Sequence, residues 1–193
     1  QKLSVAEIGA IAAGIADGRL DDAQVGAFAM AVCVSGMDAA EITALTVAMR
    51  DSGRVIDWRA MGFDAPVLDK HSTGGVGDVV TLAANADALV LDIKTGSGAF
   101  MPALAQASEL ARSLVAVATR AGLPTRAVIT DMSQPLAPAV GNALETRLAI
   151  RYLRGDQRPE RLHRITLRLG SELMCLAGMV PGLGEGEARL LAA

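Results

Sequence analysis

Aromatic side chains are scarce in this chain of 193 residues, which has one Trp, one Tyr and three Phe. A surface that stacks the bases of single-stranded nucleic acid needs several exposed rings, so we expect no nucleic-acid partner. Charge of one sign is not in excess either, because 18 Lys and Arg stand against 21 Asp and Glu. Since 51% of the residues are hydrophobic, the chain can build an aliphatic core, and this composition excludes intrinsic disorder.

Long uncharged runs are also missing. The longest in the first half, residues 23–37, contains Gln24 and Ser35 and is shorter than the roughly 20 apolar residues that span a bilayer. We therefore expect no membrane segment. The two cysteines, Cys33 and Cys175, lack the spacing of zinc ligands or of a disulfide framework. This pattern favours two small buried apolar residues in a reducing cytoplasm.

The first third of the chain contains three short helix patterns in quick succession. Ser4 with Glu7 has the spacing of a capping box, Asp38 with Glu41 begins a third helix, and another helix is predicted between them. Connections this short predict helices that pack side by side. We expect a small all-helical lobe over residues 1–62.

Beyond residue 62 the pattern alternates between apolar strands, glycine-rich loops and helices. Residues 88–93 form a continuous apolar run typical of a buried parallel strand, and shorter strands are predicted near residues 67–68 and 126–130. Helices are predicted from residue 78 and over residues 103–121, 142–153 and 160–177. This order indicates an α/β lobe over residues 63–193 with a mostly parallel sheet, which binds ligands at the carboxyl ends of its strands.

Lysine is rare, and two lysines stand beside glycine-rich loops. The chain has three lysines, Lys2, Lys70 and Lys94. Residues 69–78 read Asp-Lys-His-Ser-Thr-Gly-Gly-Val-Gly-Asp, and these glycines allow backbone N–H groups to surround an anion. Lys70, with the hydroxyls of Ser72 and Thr73, would complete a phosphate site, and His71 beside it could donate a proton near neutral pH. The spacing is neither a Walker A loop nor a dinucleotide fingerprint, and a turn that merely joins two elements is the alternative.

Two further loops follow predicted strands. Residues 94–101 do not form a Gly-x-Ser-x-Gly nucleophile elbow. These glycines serve either the tight packing of a strand against a helix or the binding of a ligand. In the second case Phe100 is available to pack on a flat ligand. In residues 130–136, Asp131 favours an Asx turn or a helix cap over a ligand contact. The seven arginines within residues 147–168 favour a solvated face paired with acidic residues over a surface for an anionic partner.

Three blocks of sequence resemble the thymidine and pyrimidine-nucleoside phosphorylase family. They are residues 69–78, residues 91–101, and residues 130–136 together with 141–145. The similarity runs along essentially the whole chain. Family members, however, place a long segment between the counterparts of Leu82 and Ala83, where part of the phosphate site and the groups that grip the pyrimidine lie. They also continue beyond Ala193, so we expect the intact polypeptide to be longer than this sequence.

The resemblance implies a phosphorylase of pyrimidine nucleoside salvage. Inorganic phosphate would attack C1′ of a pyrimidine 2′-deoxyriboside, giving 2-deoxyribose 1-phosphate and the free base. By position in the family pattern, Lys70, Ser72 and Thr81 would bind phosphate. His71 would face the base and act in catalysis, and Phe100 would line the base pocket. The helical lobe would form a homodimer contact.

The resemblance implies no cofactor besides the phosphate co-substrate, and it implies no metal. Val79 and Leu148 stand where some relatives have oxygen ligands for a cation. An enzyme of the anthranilate phosphoribosyltransferase type is one alternative, although its glycine-rich loop differs. If the chain is complete at 193 residues, a non-catalytic anion-binding remnant is the other alternative, since part of the substrate site would be absent.

Overall fold

The computed structural model describes residues 2–72 and 85–193, which form seven helices and three strands. The helices are α1 (Val5–Ala16), α2 (Asp22–Ser35), α3 (Ala39–Asp51), α4 (Leu104–Arg120), α5 (Asn142–Leu153), α6 (Glu160–Leu176) and α7 (Leu183–Ala192). The strands are β1 (Leu68–Ser72), β2 (Ala88–Thr95) and β3 (Thr125–Asp131). The helix predicted to begin at residue 78 falls largely outside the described residues.

The chain divides into two compact units. The first contains α1 to α3 together with Ser113–Pro124, and the second contains the three strands with Ala88–Arg112 and Thr125–Ala193. The division predicted between residues 62 and 63 stays a prediction. The helical opening followed by an α/β region with a parallel sheet confirms the fold class.

The first three helices begin at reciprocal capping boxes. These boxes are formed by Ser4 with Glu7, Asp21 with Gln24, and Asp38 with Glu41. In each, the first residue accepts a bond from the backbone N–H of the second, whose side chain accepts one in return. Two N–H groups that the helix leaves unpaired are thereby satisfied. The first box confirms the sequence prediction, and the third lies at the helix start that the sequence predicts.

Helix α2 is apolar in sequence, yet none of its residues is buried. In the same unit, α1 packs against α3, and Ile8 of α1 is fully buried. Met30 and Val34 of α2 are mostly exposed, and Cys33 is exposed beside them. The prediction of two buried cysteines is therefore wrong for Cys33, which lies on the exposed side of α2, and Cys175 is only half-buried. No described helix has the length and apolar character required to cross a membrane.

The second unit is built on a parallel sheet in which the described strands have the order β1-β2-β3. Residues 88–93 of the central strand β2 are all buried, as the continuous apolar run predicts. The register aligns Lys70 with Val90 and Val90 with Arg126, so these three residues share one face. Helix α6 packs on all three strands and bonds to Arg126 through Glu172, and it therefore covers this face.

Strand β1 is longer than the sequence predicts. A loop is expected from residue 69, but the strand continues to Ser72, which is aligned with Asp92 of β2. Pairing with β2 holds this segment extended, although Asp, Lys and Ser are weak strand formers. Lys70 and His71 consequently lie on a strand rather than in a loop.

The sequence does not predict α7, because Gly184 and Gly186 are poor helix formers. The structure shows why one of these glycines is needed. A Cβ atom on Gly186 would lie 3.0 Å from both Cα and Cβ of Ser171 in α6. In the opposite direction, a Cβ atom on Gly170 would lie 2.7 Å from Leu190 Cδ1. The two helices therefore pack at a distance that glycine permits.

Candidate functional site

The predicted site residues divide into those that the structure brings together and those that it separates. Lys70 and Ser72 lie on the same face of β1, because side chains alternate along a strand. The same alternation directs half-buried His71 to the opposite face. Phe100, in the loop after β2, exposes 75% of its surface. Thr81 lies outside the described residues.

A largely buried hydrogen-bonded cluster lies beside Lys70 on β2 and β3. The Lys94 ammonium donates to Asp92 Oδ2 at 2.6 Å and to Thr130 Oγ1 at 2.9 Å. The Thr130 hydroxyl donates to Asp92 Oδ1 at 2.5 Å. Lys70 Nζ lies 3.6 Å from Asp92 Oδ2. Both carboxylate oxygens of Asp92 are thus engaged by strand side chains.

Among the described residues, this cluster contains two ammonium groups and one carboxylate. The ammonium groups of Lys70 and Lys94 both lie within 4 Å of the Asp92 carboxylate. Asp92 is only 2% exposed and the Lys94 side chain 10%, so each needs the other as a buried partner. The Lys70 side chain is 38% exposed. Lys70 is therefore the cation of the cluster that an anion from solvent can reach.

The loops after β2 and β3 interlock at the carboxyl edge of the sheet. The Met132 N–H donates to the Thr95 carbonyl oxygen at 2.6 Å. Gly96 has φ +98°, and a Cβ atom there would lie 2.4 Å from Ser133 Oγ. A Cβ atom on Gly98 would lie 2.4 Å from the Met132 carbonyl oxygen. These glycines allow the two loops to approach, which supports the packing interpretation of residues 94–101.

Asp131 forms the Asx turn that the sequence favours. Its Oδ1 atom accepts bonds from the Ser133 hydroxyl at 2.7 Å and from the Ser133 N–H at 3.0 Å. These bonds, followed by the charge of Arg161, lower the pKa of Asp131 below its usual value. Arg161 Nη2 lies 3.3 Å from the second carboxylate oxygen. The turn is thereby fixed between the two interlocked loops and α6.

The break between α5 and α6 divides the arginine-rich segment. Within this segment Arg161, Arg164 and Arg168 lie beside acids, and Arg161 also donates to backbone carbonyls. Arg126 and Arg168 both bond to the buried carboxylate of Glu172, at 2.9 and 2.6 Å. Arg164 lies 3.8 Å from Glu160 one turn away. Arg126 lies outside the predicted segment, so the paired face is supported only for the arginines of α6.

The sequence analysis did not identify Asp92 as a site residue and assigned no role to Thr130. A signal was available, because Asp92 interrupts an apolar strand and stands two residues before Lys94, on the same face. The register then aligns Lys94 with Thr130 across the strands. Among the described residues, no group of three or more His, Cys, Asp and Glu side chains is arranged as a metal site.

Comparison with known families settles the relationship of this chain. Residues 1–53 match the helical bundle domain of a glycosyl transferase family, and residues 79–193 match the a/b domain of a glycosyl transferase family. The chain belongs to this glycosyl transferase family. The relatives described next confirm the resemblance to thymidine phosphorylases.

The thymidine phosphorylase of Burkholderia lata is 35% identical over 289 aligned positions, covering 100% of this chain and 66% of that protein. A thymidine phosphorylase of Burkholderia cenocepacia is 34% identical over 286 positions, covering 98% and 65%. The chain thus spans slightly less than two thirds of the length of these relatives. The first alignment has 96 more positions than the chain has residues, 289 against 193, which agrees with an additional internal segment in the relatives.

A solved structure shares the fold. The anthranilate phosphoribosyltransferase (TrpD) from Thermus thermophilus matches with a TM-score of 0.55 at 16% identity. The match covers 97% of this chain and 90% of that one. At this identity the likeness establishes the architecture, and the substrate has to be argued from the site.

Proposed function

We propose that this chain acts as a thymidine phosphorylase, in which inorganic phosphate attacks C1′ of a pyrimidine deoxyriboside. The products are 2-deoxyribose 1-phosphate and the free base. Membership of the glycosyl transferase family and the identity to thymidine phosphorylases support pentosyl transfer. The observation that carries the finer proposal is the half-exposed Lys70 ammonium beside a buried carboxylate that Lys94 already occupies.

Phosphate binding is assigned to Lys70, Ser72 and Thr81. Lys70 and Ser72 support this role because they share one face of β1 next to the carboxyl edge of a parallel sheet, where ligands of α/β folds bind. The described residues around Asp92 carry one more ammonium than carboxylate, and this positive charge would attract the phosphate dianion. Thr81 enters by the resemblance alone.

The base is assigned to His71 and Phe100. The transition state gathers positive charge on the sugar and negative charge on the leaving base, so a donor at the base carbonyl would lower the barrier. The His71 side chain lies on the face of β1 opposite to that of Lys70. In the proposed complex, phosphate and base therefore bind on opposite sides of the end of β1. The exposed ring of Phe100 offers a flat apolar surface to a pyrimidine.

The proposal includes no cofactor and no metal, with phosphate as the co-substrate, and it places the enzyme in the cytoplasm. The free thiols of Cys33 and Cys175 are compatible with a reducing compartment. The expected reaction is therefore insensitive to chelators.

A homodimer through the helical lobe is part of the proposal. Helix α2 supports it, since exposed apolar patches on a folded protein mark interaction sites and Met30 and Val34 lie on this helix. Replacing both with Glu is expected to convert a dimer into a monomer in analytical ultracentrifugation. Val5→Glu, at an equally exposed apolar position of α1, is the matched control. A monomeric native protein would contradict the homodimer.

The activity is tested by incubating the protein with thymidine and phosphate and measuring thymine and 2-deoxyribose 1-phosphate together. The proposal predicts equal amounts of both products, none without phosphate, and unchanged rates with a chelator. Thymine release without phosphate would indicate a hydrolase. Phosphate binding without release of base would favour the anion-binding remnant, and transfer from phosphoribosyl pyrophosphate to anthranilate would favour the phosphoribosyltransferase alternative.

A further inference from the structure

Lys94 is the lysine at a strand end to which the proposed reaction assigns no role. It lies on the face of the sheet that carries Lys70, and its ammonium is held by Asp92 and Thr130. Such a buried lysine either touches the substrate anion or acts through its neighbours. The distances around Asp92 favour the second role.

Asp92 stands between the two lysines, and one oxygen atom serves both. Asp92 Oδ2 lies 2.6 Å from Lys94 Nζ and 3.6 Å from Lys70 Nζ. The shorter distance is a hydrogen bond, whereas the longer one exceeds hydrogen-bond length. Lys94 is thus the primary partner of the carboxylate, and Lys70 is attracted to it without being bonded.

Without Lys94, the same carboxylate would oppose phosphate binding in two ways. A buried carboxylate that loses its hydrogen-bonded ammonium draws in the nearest cation, which among the described residues is Lys70. Its negative charge would also repel a phosphate anion bound at Lys70, and this repulsion is strong because Asp92 itself is buried.

We propose that Lys94 is a positioning residue of the phosphate site, which occupies Asp92 so that the Lys70 ammonium remains available to phosphate. The inference rests on the proposed function, since it assigns a role inside the same site. Lys94 acts on phosphate affinity through Asp92, so its loss is repaired when the charge of Asp92 is removed as well. A lysine that contacted phosphate directly would not be replaced in this way.

The test compares the native chain with Lys94→Met, Asp92→Asn and the variant carrying both changes. Equilibrium binding of inorganic phosphate is measured by calorimetry, and KM is measured separately for phosphate and thymidine. Lys94→Met is expected to weaken phosphate binding at least about tenfold and to leave the KM for thymidine within about twofold. The variant with both changes is expected to return within about threefold of the native affinity, because the net charge beside Lys70 is restored.

If Lys94→Met alone fails to fold, the doubly changed variant still tests whether Lys94 contacts phosphate directly. Replacing both members of a buried ion pair by neutral groups is often tolerated, whereas breaking the pair is not. The matched control changes Lys2 to Met and Asp38 to Asn, an exposed pair in the helical lobe, and should leave phosphate affinity unchanged. A doubly changed variant that binds phosphate at least about tenfold more weakly than the native chain would overturn the inference, and Lys94 would then be a direct phosphate ligand.

The binding measurement separates this inference from the proposed function, because it needs no turnover. A native chain that binds phosphate but releases no thymine contradicts the proposed phosphorylase activity. Recovery of phosphate affinity in the doubly changed variant would still support the positioning role of Lys94. Thymine release without that repair contradicts the role of Lys94 alone. A native chain that binds no phosphate overturns both.

Discussion

Gly98 approaches Met132 so closely that a Cβ atom on Gly98 would lie 2.4 Å from the Met132 carbonyl oxygen. The neighbouring Gly96 is equally constrained by Ser133. The glycines after β2 therefore permit the contact between two loops at the edge of the sheet where ligands of this fold class bind. A larger residue at either position should therefore lower the free energy of unfolding.

Gly98→Ala is expected to destabilise the chain by about 1–3 kcal/mol in urea unfolding, because a backbone carbonyl cannot swing aside as a side chain can. The matched control is Gly184→Ala in the same unit. Gly184 lies exposed in α7 with open space around it, so alanine there is expected to be neutral or stabilising by up to about 1 kcal/mol. Equal effects of the two changes would contradict the tight contact.

Local signals predicted much of this fold. The capping pair Ser4 with Glu7 sets the start of α1, and the apolar run of residues 88–93 predicts β2, since both signals lie within one element. Strand β1 and helix α7 depend on partners instead. Ser72 is extended because β2 pairs with it, and α7 contains Gly186 because Ser171 of α6 leaves no room for a larger residue there.

The site was predicted less completely, for a similar reason. Lys70 and Lys94 stand out in the sequence because lysine is rare and both precede glycines. Asp92 does not stand out, since a carboxylate inside an apolar run is explained only by the cations around it. Its bond to Thr130, 38 residues away, depends on the strand register, which the residue pattern does not specify.

Glu172→Gln is expected to destabilise the second unit by about 1–3 kcal/mol, because two guanidinium groups would lose their shared buried carboxylate. This loss is smaller than for a fully buried ion pair, since both Arg126 and Arg168 are half exposed. Glu160→Gln, in the same helix but highly exposed, should cost less than about 1 kcal/mol. Thermal unfolding that ranks the two variants in the opposite order would refute the role of Glu172.

The Asp38 carboxyl is expected to titrate far below an ordinary aspartate. Hydrogen bonds from Lys2 and then from the Glu41 N–H lower its pKa from 3.8 to about 2. Because its pKa is lower in the folded chain, Asp38 stabilises the fold at pH values above its usual pKa of 3.8. This contribution is lost as the pH falls through about 2. In Lys2→Met, NMR should show the pKa of Asp38 rising towards 3.8 while that of Asp17, paired with Arg19, stays lowered. An unchanged Asp38 pKa would show that Lys2 does not hold it.

The most direct test of the proposed function is the loss of the Lys70 ammonium. Lys70→Ala is expected to lower phosphate-dependent kcat/KM for thymidine by an amount equal to about 2–4 kcal/mol of transition-state stabilisation, as for other charged groups placed in partly dry sites. Lys2→Ala removes the same charge from the helical lobe and should retain native activity. A loss of less than about tenfold in Lys70→Ala would contradict the account, because Lys70 would then not be the cation that binds phosphate.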